Sequence, residues 1–314
     1  MASTMAQVLP DLDRRRGRRR RKRRTGTDPF ARRTYPLWFH LPASLLYVVL
    51  FAVPTFASLY FSLTRWTLFD VTFIGFDNFV QFFQDPQLSQ SLVHTLIYAV
   101  VTSGAKVVLG FALALLLTSN LIGRGYLRAV TFFPVLVSTI GVGLTFKVLL
   151  DPFDGVVNQT LAAFGIAGPG WLTDPNLALL SVALVDVWKG LGIATLIYIA
   201  GIVAIPQEYF EAARVDGAGA WTVFRSIIFP LSWPATGTVI ILSLIGGLRS
   251  FDLIWAMTKG GPGFSSDVVA SVIYKQYQAG FYGLSTAGNV VLFVIVAAIM
   301  IPLASYIGRR GVES

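Results

Sequence analysis

Cysteine is absent from this 314-residue chain, and histidine nearly so, with only His40 and His94. No disulfide and no thiolate metal site can form. The two histidines lie far apart on apolar segments, where a membrane interface suits them better than a metal. Charge is scarce: 13% of residues are Asp, Glu, Lys or Arg, against about 25% in a soluble domain. No Gly-Lys-Ser or Gly-Lys-Thr occurs, so the chain lacks the P-loop that cradles ATP phosphates. Gly217-Ala218-Gly219 follows a helical pattern rather than a strand, so it is no dinucleotide fingerprint. No carboxylate pair, Ser–His arrangement or metal cluster points to catalysis. A soluble enzyme with a large core is disfavoured on these grounds.

What is present is apolar: 54% of residues are hydrophobic, and mean hydropathy is +0.66. A membrane-crossing helix needs about 20 mostly apolar residues. Six stretches qualify: Leu37–Leu63, Ser91–Thr118, Ala129–Leu150, Leu177–Val203, Leu231–Ile254 and Leu284–Ile307. The expected fold is an all-α integral membrane protein of six spans over residues 37–308, with short ends at 1–36 and 309–314.

The net charge of +9 comes from one end. Arg14 to Arg24 holds ten basic residues in eleven, and Arg32 and Arg33 bring the segment before Tyr35 to twelve of the chain's 25. The rest balances, 13 basic against 13 acidic. A like-charge block of this kind cannot pack and is expected to be disordered. Its composition suits a cytosolic tail that sets orientation and touches anionic lipid; nucleic-acid binding is the weaker alternative. A cleaved signal peptide is disfavoured, because the following apolar run is too long.

Basic residues also sort the loops. Segments 119–128 and 204–230, with both termini, carry 18 of them, including Arg124, Arg128, Arg214, Arg225, Arg309 and Arg310. Segments 64–90, 151–176 and 255–283 carry only Arg65, Lys259 and Lys275. Both termini and the 204–230 segment are therefore expected on the cytoplasmic side.

That segment reads IPQEYFEAARVDGAGAWTVFRSIIFP from Ile205 to Pro230. Pro206 suits a helix start, and Glu208 complements the positive helix terminus. Asp216-Gly217 reads as a turn, because glycine tolerates positive φ. Small residues at 212, 213 and 218 keep the surface shallow. A second helix follows, with Trp221, Phe224 and Ile228 on one stripe, as expected of a helix packing on its own subunit or on another.

Glu211-Ala212-Ala213, Gly217, Ile227 and Pro230 resemble the EAA loop of bacterial ABC importer permeases. That pattern is EAA, three residues, Gly, nine residues, Ile, one residue, Leu-Pro; Phe229 stands where Leu is usual. Further segments resemble the maltose- and lactose-type sugar branch of that family. They are Phe73-Ile74-Gly75-Phe76-Asp77-Asn78-Phe79, Pro206 through Asp216-Gly217-Ala218, and Phe251-Asp252 with Thr258-Lys259-Gly260-Gly261-Pro262-Gly263. The resemblance covers roughly Leu37 to Gly308.

The resemblance implies a type I importer permease in a bacterial cytoplasmic membrane. Its substrate would be a di- or oligosaccharide delivered by an extracytoplasmic binding protein. Its partners would be a second related permease and two copies of an ABC ATPase, which carry ATP and Mg. Glu211, Ala212, Ala213, Asp216, Gly217, Ile227 and Pro230 would dock the ATPase. Alternatives are an importer of another solute such as glycerol phosphate, or an ATP-independent secondary carrier.

Charges at bilayer depth cost about 2.5–3.5 kcal/mol each on insertion scales and usually face protein or water. Lys106, Lys147, Asp186, Lys189, Arg249 and Asp252 are such residues. Asp186 with Lys189, and Arg249 with Asp252, are spaced to pair on one helix face. They either tie the spans together or, with Trp188, Tyr198 or Trp255 as stacking surfaces, line a sugar path. Gly246-Gly247 suits close helix approach, expected at a permease–permease interface. Read alone, Gly260-Gly261-Pro262-Gly263 is a flexible turn.

Overall fold

The computed structural model describes residues 37–67, 69–119 and 121–312. The arginine-rich segment lies outside the described residues, as do Ser314 and its neighbour Glu313. By internal contacts the chain divides into two units, one ending at Thr55 and one running from Phe56 to Ser314.

A helical run, α1 (Trp38–Phe61), carries apolar side chains all round, and none of them is buried. In the second unit a short antiparallel hairpin follows, β1 (Thr64–Trp66) on β2 (Val71–Phe73), with Thr64 opposite Phe73. Buried Asn78, on α2 (Asp77–Gln84), clamps the chain before and within β1: its Nδ2 donates to the Ser62 and Thr64 carbonyls, each at 2.8 Å.

The bundle is built on α3 (Pro86–Thr118) and α7 (Ala178–Val203), which pack along each other. Asp85 starts α3 by accepting from Gln87 N and Leu88 N, and Pro86 fills the first helical position. Small residues set the spacing: a β-carbon added at Gly110 would lie 2.9 Å from Ala194 Cβ. α10 (Trp233–Leu248) joins both helices, because Gly247 sits against Ala99 and Gly201 against Ala235. Gly247 thus serves packing inside this subunit rather than an interface between permeases.

Two expected spans are broken. Ala129–Leu150 is α4 (Arg124–Leu136) and α5 (Thr139–Leu149), bent by 98°. Val137 is extended between them, at φ −82° and ψ 141°, three residues after Pro134. The fifth begins as α9 (Ala220–Leu231), turns by 60° into α10, and ends at Leu248 rather than Ile254. Arg249, Ser250 and Phe251 are non-helical, and α11 (Asp252–Met257) is separate. Counting each bent pair once gives up to six spans, the last being α13 (Tyr282–Val312). α13 carries residues 309–312, read from sequence as a tail, as helix.

Smaller helices fill the loops: α6 (Val156–Ala163), α8 (Gln207–Val215) and α12 (Val269–Gln278). One core cluster joins α3, α5, α7 and α11 through Tyr98, Val142, Val182 and Ile254; another joins α2, α3, α12 and α13 through Phe82, Leu88, Val272 and Leu284.

Candidate coupling loop and polar contacts between the spans

The α8–α9 turn is closed by backbone alone. Gly217 adopts φ +68°. Its N–H donates to Arg214 O at 3.1 Å, and Ala218 N–H donates to Ala213 O at 2.9 Å. This pair of bonds is the Schellman closure, in which the residue after the helix is left-handed. Ala213 is 7% exposed and packs inward. Glu211, Ala212, Asp216 and Pro230 are exposed, and Ile227 is half-buried. The turn therefore holds a carboxylate and a small side chain outward on a rigid support, with no side-chain bond of their own among the described residues.

α9 roots this element in the bundle. Phe224 and Phe229 lie 6.0 and 6.2 Å, centroid to centroid, from Phe111 on α3, and Phe111 meets Tyr198 on α7 at 4.9 Å. Ile228 packs on the same cluster. Trp221 stacks on Phe224 at 5.3 Å yet stays 70% exposed. The stripe on α9 is split accordingly: Phe224 and Ile228 turn to their own subunit, and Trp221 turns away. Sequence reading missed Phe111, because nothing distinguishes one phenylalanine inside an apolar run.

The intramembrane charges pair differently from their spacing. Lys106 Nζ donates to Asp186 Oδ2 at 2.7 Å, tying α3 to α7, with the side chains 9% and 24% exposed. Asp186 does not pair with Lys189. Room for the ammonium stem comes from Gly190, where a β-carbon would fall 2.6 Å from Lys106 Cε. The buried Tyr98 hydroxyl has Asp186 and Ser250 among its polar neighbours. Arg249 and Asp252 make no ion pair among the described residues; they flank the break after α10. Trp188 is 44% exposed and meets Phe146 at 5.2 Å. Tyr198 is 1% exposed against Phe111, so its ring has no free face for a sugar in this conformation.

The Gly260–Gly263 stretch is held rather than flexible. Asp267, 1% exposed, accepts from Lys275 Nζ at 2.6 Å and Ser271 Oγ at 2.7 Å. Gly260, at φ +88°, passes so close that a β-carbon would collide with that carboxylate. Ser266 Oγ donates to Gly261 O at 2.6 Å. His94 Nδ1 bonds the Asp267 carbonyl at 3.0 Å, joining α3 to this loop. The sequence signal was the Asp267, Ser271, Lys275 spacing of four and four at the start of α12.

Apolar helices around buried polar ties, with a polar helical turn between them, are the architecture of a multi-span membrane protein. The chain belongs to the family described as binding-protein-dependent transport system inner membrane component, whose sequence model matches residues 106–310. It is 33% identical over 271 residues to a probable ABC transporter permease, YurN, of Bacillus subtilis, covering 84% of this chain and 92% of that one. It is 32% identical over 263 residues to the trehalose/maltose transport system permease MalF of Thermococcus litoralis, covering 83% and 89%. Among solved structures it resembles a subunit of a bacterial alginate ABC transporter in complex with an alginate pentasaccharide-bound periplasmic protein. There the TM-score is 0.77 at 24% identity, over 87% of this chain and 93% of that one, which shows the shared fold.

Proposed function

We propose that this chain is one permease subunit of an ATP-driven importer that takes up a di- or oligosaccharide handed over by an extracytoplasmic binding protein. A second related permease completes the path, and two copies of a separate ATPase supply the energy. Both termini and the α8–α9 turn face the cytoplasm.

One observation carries this reading: an exposed Glu211-Ala212 face on a turn locked by Gly217, rooted through Phe224 and Phe111 in the bundle. A groove on the ATPase would receive that face, with Glu211, Ala212, Ala213, Asp216, Gly217, Ile227 and Pro230 forming or shaping it. When ATP draws the ATPase subunits together, the turn moves, and α9 carries the motion to α3 and α7 through the Phe111 contacts. Sugar as substrate is supported by relatives named for trehalose/maltose, multiple-sugar and lactose transport. Lys106, Asp186, Lys189, Trp188, Arg249 and Asp252 are the candidates for the path itself. The Lys106–Asp186 pair also ties the spans, since its ammonium is almost fully buried.

The test is uptake by proteoliposomes holding both permeases, the ATPase and the binding protein. Sugar accumulation that requires internal ATP, and that Glu211→Ala and Gly217→Pro abolish while the spans still insert, supports the reading. Uptake without ATP, or wild-type rates in both variants, overturns it in favour of a self-sufficient carrier.

A further inference from the structure

A concavity of ≈ 290 Å³ lies where the chain after α10 meets α12 and α13, and nothing above uses it. Phe251, Tyr274 and Tyr277 supply its rings, and Ser285 and Asn289 its polar groups. Behind the rings, Trp255 stacks on Phe251 at 5.6 Å and meets Tyr274 edge-on at 4.8 Å. Phe251 and Tyr274 are themselves 5.3 Å apart. These three rings fix one another, so the surface they offer is stiff.

The polar groups decide what such a surface suits. Asn289 is exposed, seven residues into α13, or about 10 Å along the helix axis. Its amide nitrogen makes one long bond, 3.4 Å, to Ser285 O, and its carbonyl oxygen has no partner among the described residues. An amide facing hydrocarbon would be left unsatisfied at substantial cost. The lining therefore fits a partner with both apolar and hydrogen-bonding faces. Tyrosine is apolar on its ring and polar at its tip, and suits that mixture. A pyranose has the same duality, with C–H faces and a rim of hydroxyls. The ring series also continues from Tyr277 to Tyr282 and on to Trp66, at 5.3 Å per step. A second sugar unit would meet further rings along the same line.

We propose that the Phe251–Tyr274–Tyr277 concavity, with Asn289, is a sugar-binding subsite at the outer end of the path, separate from the Lys106–Asp186 pair. It stacks one pyranose ring on Tyr274 and hydrogen-bonds its hydroxyls through Asn289, on the way from the binding protein to the interior. The proposal rests on the sugar-importer reading and deepens it.

The experiment uses the whole reconstituted complex and a panel of mono- to pentasaccharides. The sugar taken up fastest by the wild type serves as probe, with its next longer and shorter homologues. Sugar delivered per ATP hydrolysed is measured for Tyr274→Ala, Tyr274→Phe and Asn289→Ala. Losing one stacked ring should lower delivery per ATP about fivefold in Tyr274→Ala, with ATP hydrolysis and subunit assembly unchanged. The loss should be larger for the longer homologue. Tyr274→Phe keeps the ring and should stay within about twofold, and Asn289→Ala should fall between the two. Unchanged delivery in Tyr274→Ala, or a loss equal for all sugar lengths and matched by lost assembly, overturns the subsite and points to a contact with the second permease. Strong quenching of Trp255 by brominated lipid chains also overturns it, since acyl chains would then fill the space. Wild-type complexes that take up no sugar at all sink the importer reading itself, an outcome distinct from those.

Discussion

Two loops of this chain treat their polar residues in opposite ways. Between α11 and α13 the polar groups turn inward: Asp267 collects Lys275 and Ser271 on its carboxylate and His94 on its carbonyl, at 1% exposure. Between α7 and α10 they turn outward: Glu211 and Asp216 are exposed, and backbone bonds alone close the turn at Gly217. Both loops use a glycine at positive φ, but for different reasons. Gly260 makes room for a carboxylate of its own chain, whereas the β-position of Gly217 faces open space. The first loop is a structural part of the subunit. The second is a rigid surface turned outward, which suits the docking role proposed for it. Substitutions in the first should therefore act on folding, and those in the second on partners.

The largest expected effect on stability is at Asp267. Asp267→Ala strips two charge-assisted bonds from a buried site and should destabilise by about 3 kcal/mol. Thermal unfolding of the purified subunit in detergent would show it. A shift no larger than that of an ordinary surface change would break the comparison. Gly260→Ala should follow, at about 2 kcal/mol, because φ +88° is strained for alanine and the methyl meets the carboxylate. Gly217→Ala should cost about 1 kcal/mol from φ alone, with no collision to add. Glu211→Ala should leave stability within about 0.5 kcal/mol of wild type. Its effect should appear in ATPase copurification and ATP-dependent uptake. If Glu211→Ala instead lowered the unfolding temperature as Asp267→Ala does, the outward loop would be structural too.

The two loops were not equally legible in the sequence. Gly217 could be read because helix closure is local: the left-handed residue and its two bonds lie within six positions, from Ala213 to Ala218. The long apolar helices α3, α7 and α13 could be read because hydropathy is local as well. Gly260 was misread as a flexible turn, since its constraint is a carboxylate brought close only by folding. The Asp186–Lys189 pairing failed for a related reason. Spacing of three finds neighbours on one helix, but Lys106 arrives from another helix, 80 positions away, through the gap at Gly190. The 98° break between α4 and α5 escaped notice because an average over apolar residues has no direction. Pro134 alone was a weak sign of it, as Pro302 sits inside α13 without ending that helix.

The smallest predicted effect sharpens the comparison from a third loop. Asp151, outside the spans and half-buried, accepts from Asp154 N at 3.0 Å and Phe153 N at 2.9 Å. Those backbone N–H groups, Asp154's first, hold its carboxyl below the ordinary range. A carboxylate lowered on folding stabilises the fold above its unfolded value, near 3.9, and loses that contribution as pH falls through its own lower value. Asp151→Asn keeps an acceptor oxygen and removes only the charge. Its unfolding temperature should lie slightly below wild type at neutral pH, and the gap should close as the solution is acidified past the carboxylate range. Unfolding curves of both proteins across that range would check it. Asp151 and Asp267 are both carboxylates that accept two bonds within a loop, one wet and one dry. If the half-buried one proved as costly to change as the fully buried one, burial would not be what separates the self-closed loop from the loop that faces outward.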